Sequence, residues 1–191
     1  ILSLLFRGFS KSFAKKDVAD AADLSNALTL GVENAYKAVM KPTEGTILTV
    51  VRVASEYARK AVKEGKNEIE TFATALEGAN KALAETPEIL PVLKKAGVVD
   101  AGGRGLVVIL EGMYQVLNGG AVISAAGASS EPEVESEGGV NAAAEYEGEI
   151  TFTYCTEFIV KRESQDSNPA ELRAYLETIG DCVVVVDDEE I

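Results

Sequence analysis

From residue 1 to residue 118, apolar side chains recur at every third or fourth position, in stretches broken by proline and glycine. That rhythm restricts the segment to a succession of helices. Ile1 to Phe13 has apolar residues at 1, 2, 4, 5, 6, 9 and 13. Asp20 to Met40 follows, carrying Leu24, Ala27, Leu28, Val32, Ala35 and Val39, and Lys41-Pro42 ends it because a residue before proline disfavours the α region. Thr46 to Val62 directs Ile47, Val50, Val51, Ala54 and Ala58 inward and closes at Lys63-Glu64-Gly65-Lys66. Ile69 to Leu83 repeats the pattern with Phe72, Ala73, Leu76, Ala79 and Leu83. Thr86-Pro87 reads as the start of a short helix, with Thr86 as cap, that ends at Gly97. A last helix is expected from about Gly103 to Leu117.

Short connections make neighbouring helices antiparallel, and the many alanines let their axes approach closely. The pattern then changes. Residues 119–148 are rich in Gly, Ala, Ser and Glu and read as a flexible, self-repelling acidic linker. Glu149 to Lys161 reads as a strand, Pro169 to Thr178 as a helix capped by Asn168, and Asp181 to Asp187 as a second strand. The expected fold class is therefore α+β. An antiparallel all-helical barrel or bundle over residues 1–118 leads through the linker to the start of a smaller α+β domain over 149–191.

Charge divides at the same boundary. Residues 1–120 hold 15 Lys and Arg against 14 Asp and Glu, while residues 121–191 hold 3 against 17, so the formal net charge of −13 belongs to the C-terminal third. Nothing there offers counterion release to a phosphate backbone, and with no Trp and 6 % aromatics there is no stacking platform, so nucleic acid is not an expected partner. The absence of histidine removes His-based acid–base chemistry and Ser-His triads from these residues. No apolar run reaches the roughly 18 residues of a membrane span. Two cysteines, Cys155 and Cys182, do not make a disulfide framework, and free thiols fit a reducing, cytoplasmic setting. The first residue is not Met, and the chain stops just past an acidic turn, so both ends read as cuts in a longer protein.

Two loops have the composition of a binding site. Lys41-Pro42-Thr43-Glu44-Gly45-Thr46-Ile47-Leu48 places a glycine and a threonine at a helix start, where unpaired N–H groups suit an anion. A plain turn with a threonine cap has the same composition. Gly97-Val98-Val99-Asp100-Ala101-Gly102-Gly103-Arg104-Gly105 carries four glycines in nine residues, which permit close approach of a ligand to the backbone. There Asp100 either binds a polar ligand edge or caps the last helix, and Arg104 is suited to a phosphate. No Walker pattern or dinucleotide fingerprint is present. Cys155, in Tyr154-Cys155-Thr156-Glu157-Phe158, is by itself a packed strand thiol rather than a metal site, since a closed zinc site needs four protein ligands. The seven glutamates between Glu131 and Glu149 read as a solvated linker, with no calcium-loop spacing among them.

Taken together, Ala35-Tyr36-Lys37-Ala38-Val39-Met40-Lys41-Pro42-Thr43-Glu44-Gly45-Thr46-Ile47-Leu48-Thr49-Val50 and the run from Thr86-Pro87-Glu88 through Asp100-Ala101-Gly102-Gly103-Arg104-Gly105-Leu106 resemble the bacterial fatty acid kinase family (FakA/YloV). The first domain of that family is similar to the nucleotide-binding L domain of dihydroxyacetone kinase (DhaL). Tyr154-Cys155-Thr156-Glu157-Phe158 resembles the start of the family's middle domain.

The resemblance implies a barrel of about eight antiparallel helices with ATP and Mg at one end. It places Glu44, Gly45, Thr46, Ile47, Gly102 and Gly103 beside the nucleotide, with Asp100 near its base or ribose. It implies an ATP-dependent kinase whose substrate is a fatty acid held by a separate carrier protein, and whose product is an acyl-phosphate. The carrier would be engaged by a third domain, absent from these residues. A homodimer is compatible with the reading.

The family's Asp-x-Asp-x-Gly-x-Asn magnesium segment and its Gly-x-Asn-Ser-Gly phosphate loop are expected before Ile1. The His-x-His segment that would join Cys155 around a metal, with Zn the candidate, is expected after Ile191. The 191 residues alone are accordingly expected not to turn over ATP, because phosphoryl transfer depends on positioning and on charge neutralisation by the metal. Two other readings fit parts of the pattern: a kinase of dihydroxyacetone or another small hydroxy compound, and a non-enzymatic helical interaction module.

Overall fold

The computed structural model describes residues 1–122, 154–161 and 167–187. Six helices occupy the first stretch: α1 (Leu2–Phe13), α2 (Ala21–Ala38), α3 (Ile47–Lys63), α4 (Glu68–Ile89), α5 (Pro91–Ala96) and α6 (Ala101–Leu117). The last stretch holds α7 (Pro169–Ile179). Helix starts follow local chemistry. Asp20 and Asp23 cap α2 reciprocally, and Asn67 and Glu70 do the same for α4. Asn168 accepts the Ala170 amide at the start of α7.

The helical domain is a bundle built around α3, which packs against α2, α4 and α6, while α1 covers α2. Its core is small-residue and tight. Ala54, Ala58 and Ala61 of α3 are wholly buried, with Val50 and Val51 beside them, and Leu106, Val107 and Leu110 of α6 close the same cluster. Where α1 crosses α2, glycine faces glycine: a Cβ on Gly8 would lie 2.5 Å from the Gly31 Cα. The closeness of that crossing depends on both side chains being absent.

Two sequence expectations are revised. Pro87 does not open a short helix; it lies inside α4, which continues to Ile89, and α5 begins instead at Pro91 after Leu90. An internal proline leaves the carbonyl four residues back without its donor. Here that carbonyl is Leu83 O, and the buried Thr86 hydroxyl donates to it at 2.7 Å, so the helix runs on. Second, α6 starts two residues before Gly103, so Gly102 and Gly103 form part of its first turn rather than of a loop.

The β-α-β expectation is met in its helix. Tyr154–Lys161, the described part of the expected first strand, has no regular secondary structure, and 149–153 lie outside the described residues. Of the expected strand Asp181–Asp187, one residue pairs: Val186 bridges Val39 in antiparallel sense. An extended segment becomes a strand only through a partner ladder, and among the described residues Ala38–Met40 provides the pairing. The smaller α+β domain is thus represented here by α7 and that bridge. The linker expected over 119–148, and the glutamates within it, lie outside the described residues from 123 on.

Candidate functional site

The starts of α3 and α6 lie side by side. A Cβ built on Gly102 would sit 3.5 Å from Ile47 Cβ, and one on Gly103 would sit 2.8 Å from Val50 Cγ2 and 3.2 Å from Leu83 Cδ1. The two motifs, more than fifty residues apart in sequence, are therefore one place in the fold. Gly103 is buried and serves helix packing, whereas Gly102 is exposed.

Asp100 caps α6: its Oδ2 accepts the Gly103 amide at 2.6 Å. Its own amide donates to Thr86 Oγ1 at 3.0 Å, so one threonine ties the end of α4 to the start of α6. The first amides of a helix have no intrahelical acceptor. With Gly103 satisfied by the cap, Ala101 and Gly102 present theirs on an exposed turn. Arg104, one residue past Gly103, is exposed and stands 3.8 Å from Glu111.

The other loop is held from within. The Gly45 backbone has φ of +82°, a value that favours glycine, and a Cβ there would meet Leu90 Cγ at 2.8 Å. Its amide donates to Thr49 Oγ1 at 2.7 Å. The Thr49 hydroxyl donates in turn to Glu44 Oε2 at 2.6 Å, where Arg52 Nη2 also arrives at 3.0 Å. Tyr36 donates to Glu44 Oε1 at 2.7 Å, and Arg52 Nη1 reaches Glu56 at 2.8 Å. Both oxygens of Glu44 are thereby engaged, linking α2 to α3 across the loop. Thr46 caps α3, accepting the Leu48 amide at 3.3 Å, and gives its hydroxyl proton to Thr43 O at 2.8 Å.

This network shifts its members' protonation. Burial pushes the Glu44 carboxyl up, but hydrogen bonds from Thr49, Tyr36 and Arg52, with the guanidinium charge, outweigh it and hold the group below the usual carboxylate range. Burial, and then the hydrogen bond to Glu44, push the Tyr36 phenol up to about 12. Hydrogen bonding to Glu44 raises Arg52 further. At neutral pH the site holds an ionised Glu44, a paired Arg52 and a neutral Tyr36.

The seven residues singled out from the sequence thus have different surroundings. Ile47, Asp100, Gly102 and Gly103 converge. Thr46 caps the neighbouring helix start. Glu44 and Gly45 spend their polar groups on the loop itself. Tyr36, Thr49, Arg52 and Thr86 complete the arrangement and were not singled out by sequence. The signal that could have found them was a lone loop acid, Glu44, with a tyrosine and an arginine each eight residues away.

Exposed backbone amides beside a side-chain-free Gly102 fit the phosphate of a nucleotide. No group of three or more His, Cys, Asp or Glu that could hold a metal occurs among the described residues, so no step through magnesium is derived from them. Cys155 and Cys182 are both exposed free thiols. No helix among the described residues is long and apolar enough to cross a membrane.

Residues 1–115 match the DAK2 domain family, and residues 151–191 match the FakA-like middle domain of fatty acid kinases. Over its whole length the chain is 38 % identical to an uncharacterized protein of Staphylococcus saprophyticus, 36 % to one of Staphylococcus epidermidis and 38 % to one of Staphylococcus aureus. In each case it spans 35 % of the relative's length.

Proposed function

The chain belongs to the DAK2-domain family and carries a FakA-like middle domain, and from that premise we propose that it is the nucleotide-handling part of an ATP-dependent fatty acid kinase. In this reading the full-length protein phosphorylates the carboxylate of a fatty acid held by a separate binding protein, giving an acyl-phosphate. The supporting observation is the junction of the α3 and α6 starts, where the exposed Gly102 turn lies against Ile47. Helix starts concentrate unpaired N–H groups and positive dipole ends, and two together suit a polyphosphate. ATP supplies the phosphoryl group.

Within the site the residues take distinct roles. The Ala101 and Gly102 amides hold phosphate oxygens. The Thr46 hydroxyl, released from Thr43 O, adds a donor. Asp100 fixes the first turn of α6 through its cap. Glu44 and Gly45 shape the loop without touching the ligand. The middle-domain match favours a fatty acyl acceptor over dihydroxyacetone, because it adds a unit beyond the helical nucleotide domain.

The test is acyl-phosphate formation by the full-length protein, trapped as the hydroxamate, with Mg-ATP and a fatty-acid-loaded carrier. ATP-dependent hydroxamate is expected, and the isolated 191 residues are expected to give none above the no-enzyme blank. Phosphorylation of dihydroxyacetone with no acyl product would contradict the acceptor. Absence of any nucleotide binding would leave a helical interaction module.

A further inference from the structure

The last described residues reach back to the candidate loop. Asp187 N–H donates to Ala38 O at 3.1 Å, Met40 N–H donates to Val185 O at 3.4 Å, and Val39 and Val186 form the antiparallel bridge between them. Ala38 ends α2, so its carbonyl has no intrahelical donor, and Asp187 supplies one. Val39 has left the helix for extended backbone, at φ −89° and ψ 112°, and its side chain is buried in the main core. The bridge is therefore made on an anchored residue.

Little freedom separates that bridge from the site. Pro42 has φ fixed by its ring. Thr43 O is taken by the Thr46 hydroxyl, and Glu44 is held by Tyr36, Thr49 and Arg52. A groove of about 400 Å³ lies between Met40, Lys41 and Thr43 on one side and Arg173 and Glu177 of α7 on the other. The loop thus has space to move into if its first residues come loose.

We propose that residues 185–187 act as a positioning strap. By pairing with Ala38–Met40 they hold the 39–46 connection in the shape that sets Thr46 and Ile47 beside Gly102, and through it the second unit sets the nucleotide affinity of the first. The affinity half rests on the nucleotide reading above; the loop half does not.

Asp187→Pro removes the donated N–H, and Asp187→Ala removes the same carboxylate while keeping that N–H. The extended Val186 tolerates a following proline. In the full-length protein, hydrogen exchange of the 39–46 amides should be about tenfold faster in Asp187→Pro than in Asp187→Ala. Val186→Gly, which loosens the extended residue without a proline, should shift exchange the same way by less. Mg-ATP affinity should fall about three- to tenfold in Asp187→Pro and stay unchanged in Asp187→Ala, as the competent loop conformation becomes less populated. Equal exchange in the two Asp187 variants would overturn the strap, as would faster exchange with unaltered affinity. If the unsubstituted protein binds no Mg-ATP, the nucleotide reading fails, and the exchange comparison alone decides the strap.

Discussion

Glu44 shows how one loop acid can organise two helices. The Glu44–Arg52 pair is partly exposed, with side-chain exposures of 46 % and 37 %, so solvent screens it. Glu44→Gln should therefore cost about 0.5–1 kcal/mol, smaller than for a buried pair. Because its folded carboxyl sits below the ordinary value of 4.5, the stabilisation is complete above that value and is lost as pH falls through the lower, folded one. Urea midpoints should separate the parent and Glu44→Gln near neutrality and converge at about pH 3. A gap of the same size at both pH values would refute that role for the carboxylate. Thr86 carries a second residue-scale prediction. Its buried hydroxyl serves Leu83 O and the Asp100 amide together, so Thr86→Val should lower stability by about 1–3 kcal/mol, while Thr86→Ser recovers most of it. Thermal melts of the pair decide between this and a packing role, for which valine would be the better tolerated. Neither role was legible in the sequence, because a hydroxyl's partners are set by which helices meet. Thr86 followed by Pro87 reads as a helix start until Leu83 O is seen to need a donor.

At the scale of elements, spacing carried the reading well where burial is one-sided. The α2, α3 and α6 stretches have strong 3–4 apolar periods, and their observed bounds lie within about two residues of those read from the sequence. The strands were less legible. Val, Ile, Tyr and Phe content suits a strand, but a ladder needs a neighbour, and Tyr154–Lys161 has none among the described residues. The closeness of α1 to α2 was equally hidden, since nothing in a lone Gly8 announces that it faces Gly31. Gly8→Ala brings a Cβ within 2.5 Å of backbone, so the helices must separate, at a cost of about 1–3 kcal/mol. Gly105→Ala, with nothing within 4 Å of the new Cβ, should leave stability unchanged or slightly raised. Denaturation midpoints of the two variants check this; equal losses would contradict the assigned crossing.

Over the whole molecule, the charge boundary near residue 120 separates the two matched families, the DAK2 domain ending at 115 and the middle domain beginning at 151. The near-neutral helical domain suits an anionic nucleotide better than the acidic remainder does. Sequence motifs indicated which two loops matter, and the fold brings them together through Ile47 and Gly102. The division of labour between them, with Gly103 packing and Gly102 exposed, needed the structure. The central claim is that the Gly102 turn receives the nucleotide, and titration of Mg-ATP into the full-length protein and its Gly102→Ala and Gly105→Ala variants tests it most directly. A methyl on Gly102 has room in the fold but occupies the ligand's approach, so Gly102→Ala should weaken binding about tenfold while Gly105→Ala binds as the parent does. Identical affinities in all three proteins, or no binding by the parent, would contradict the assignment.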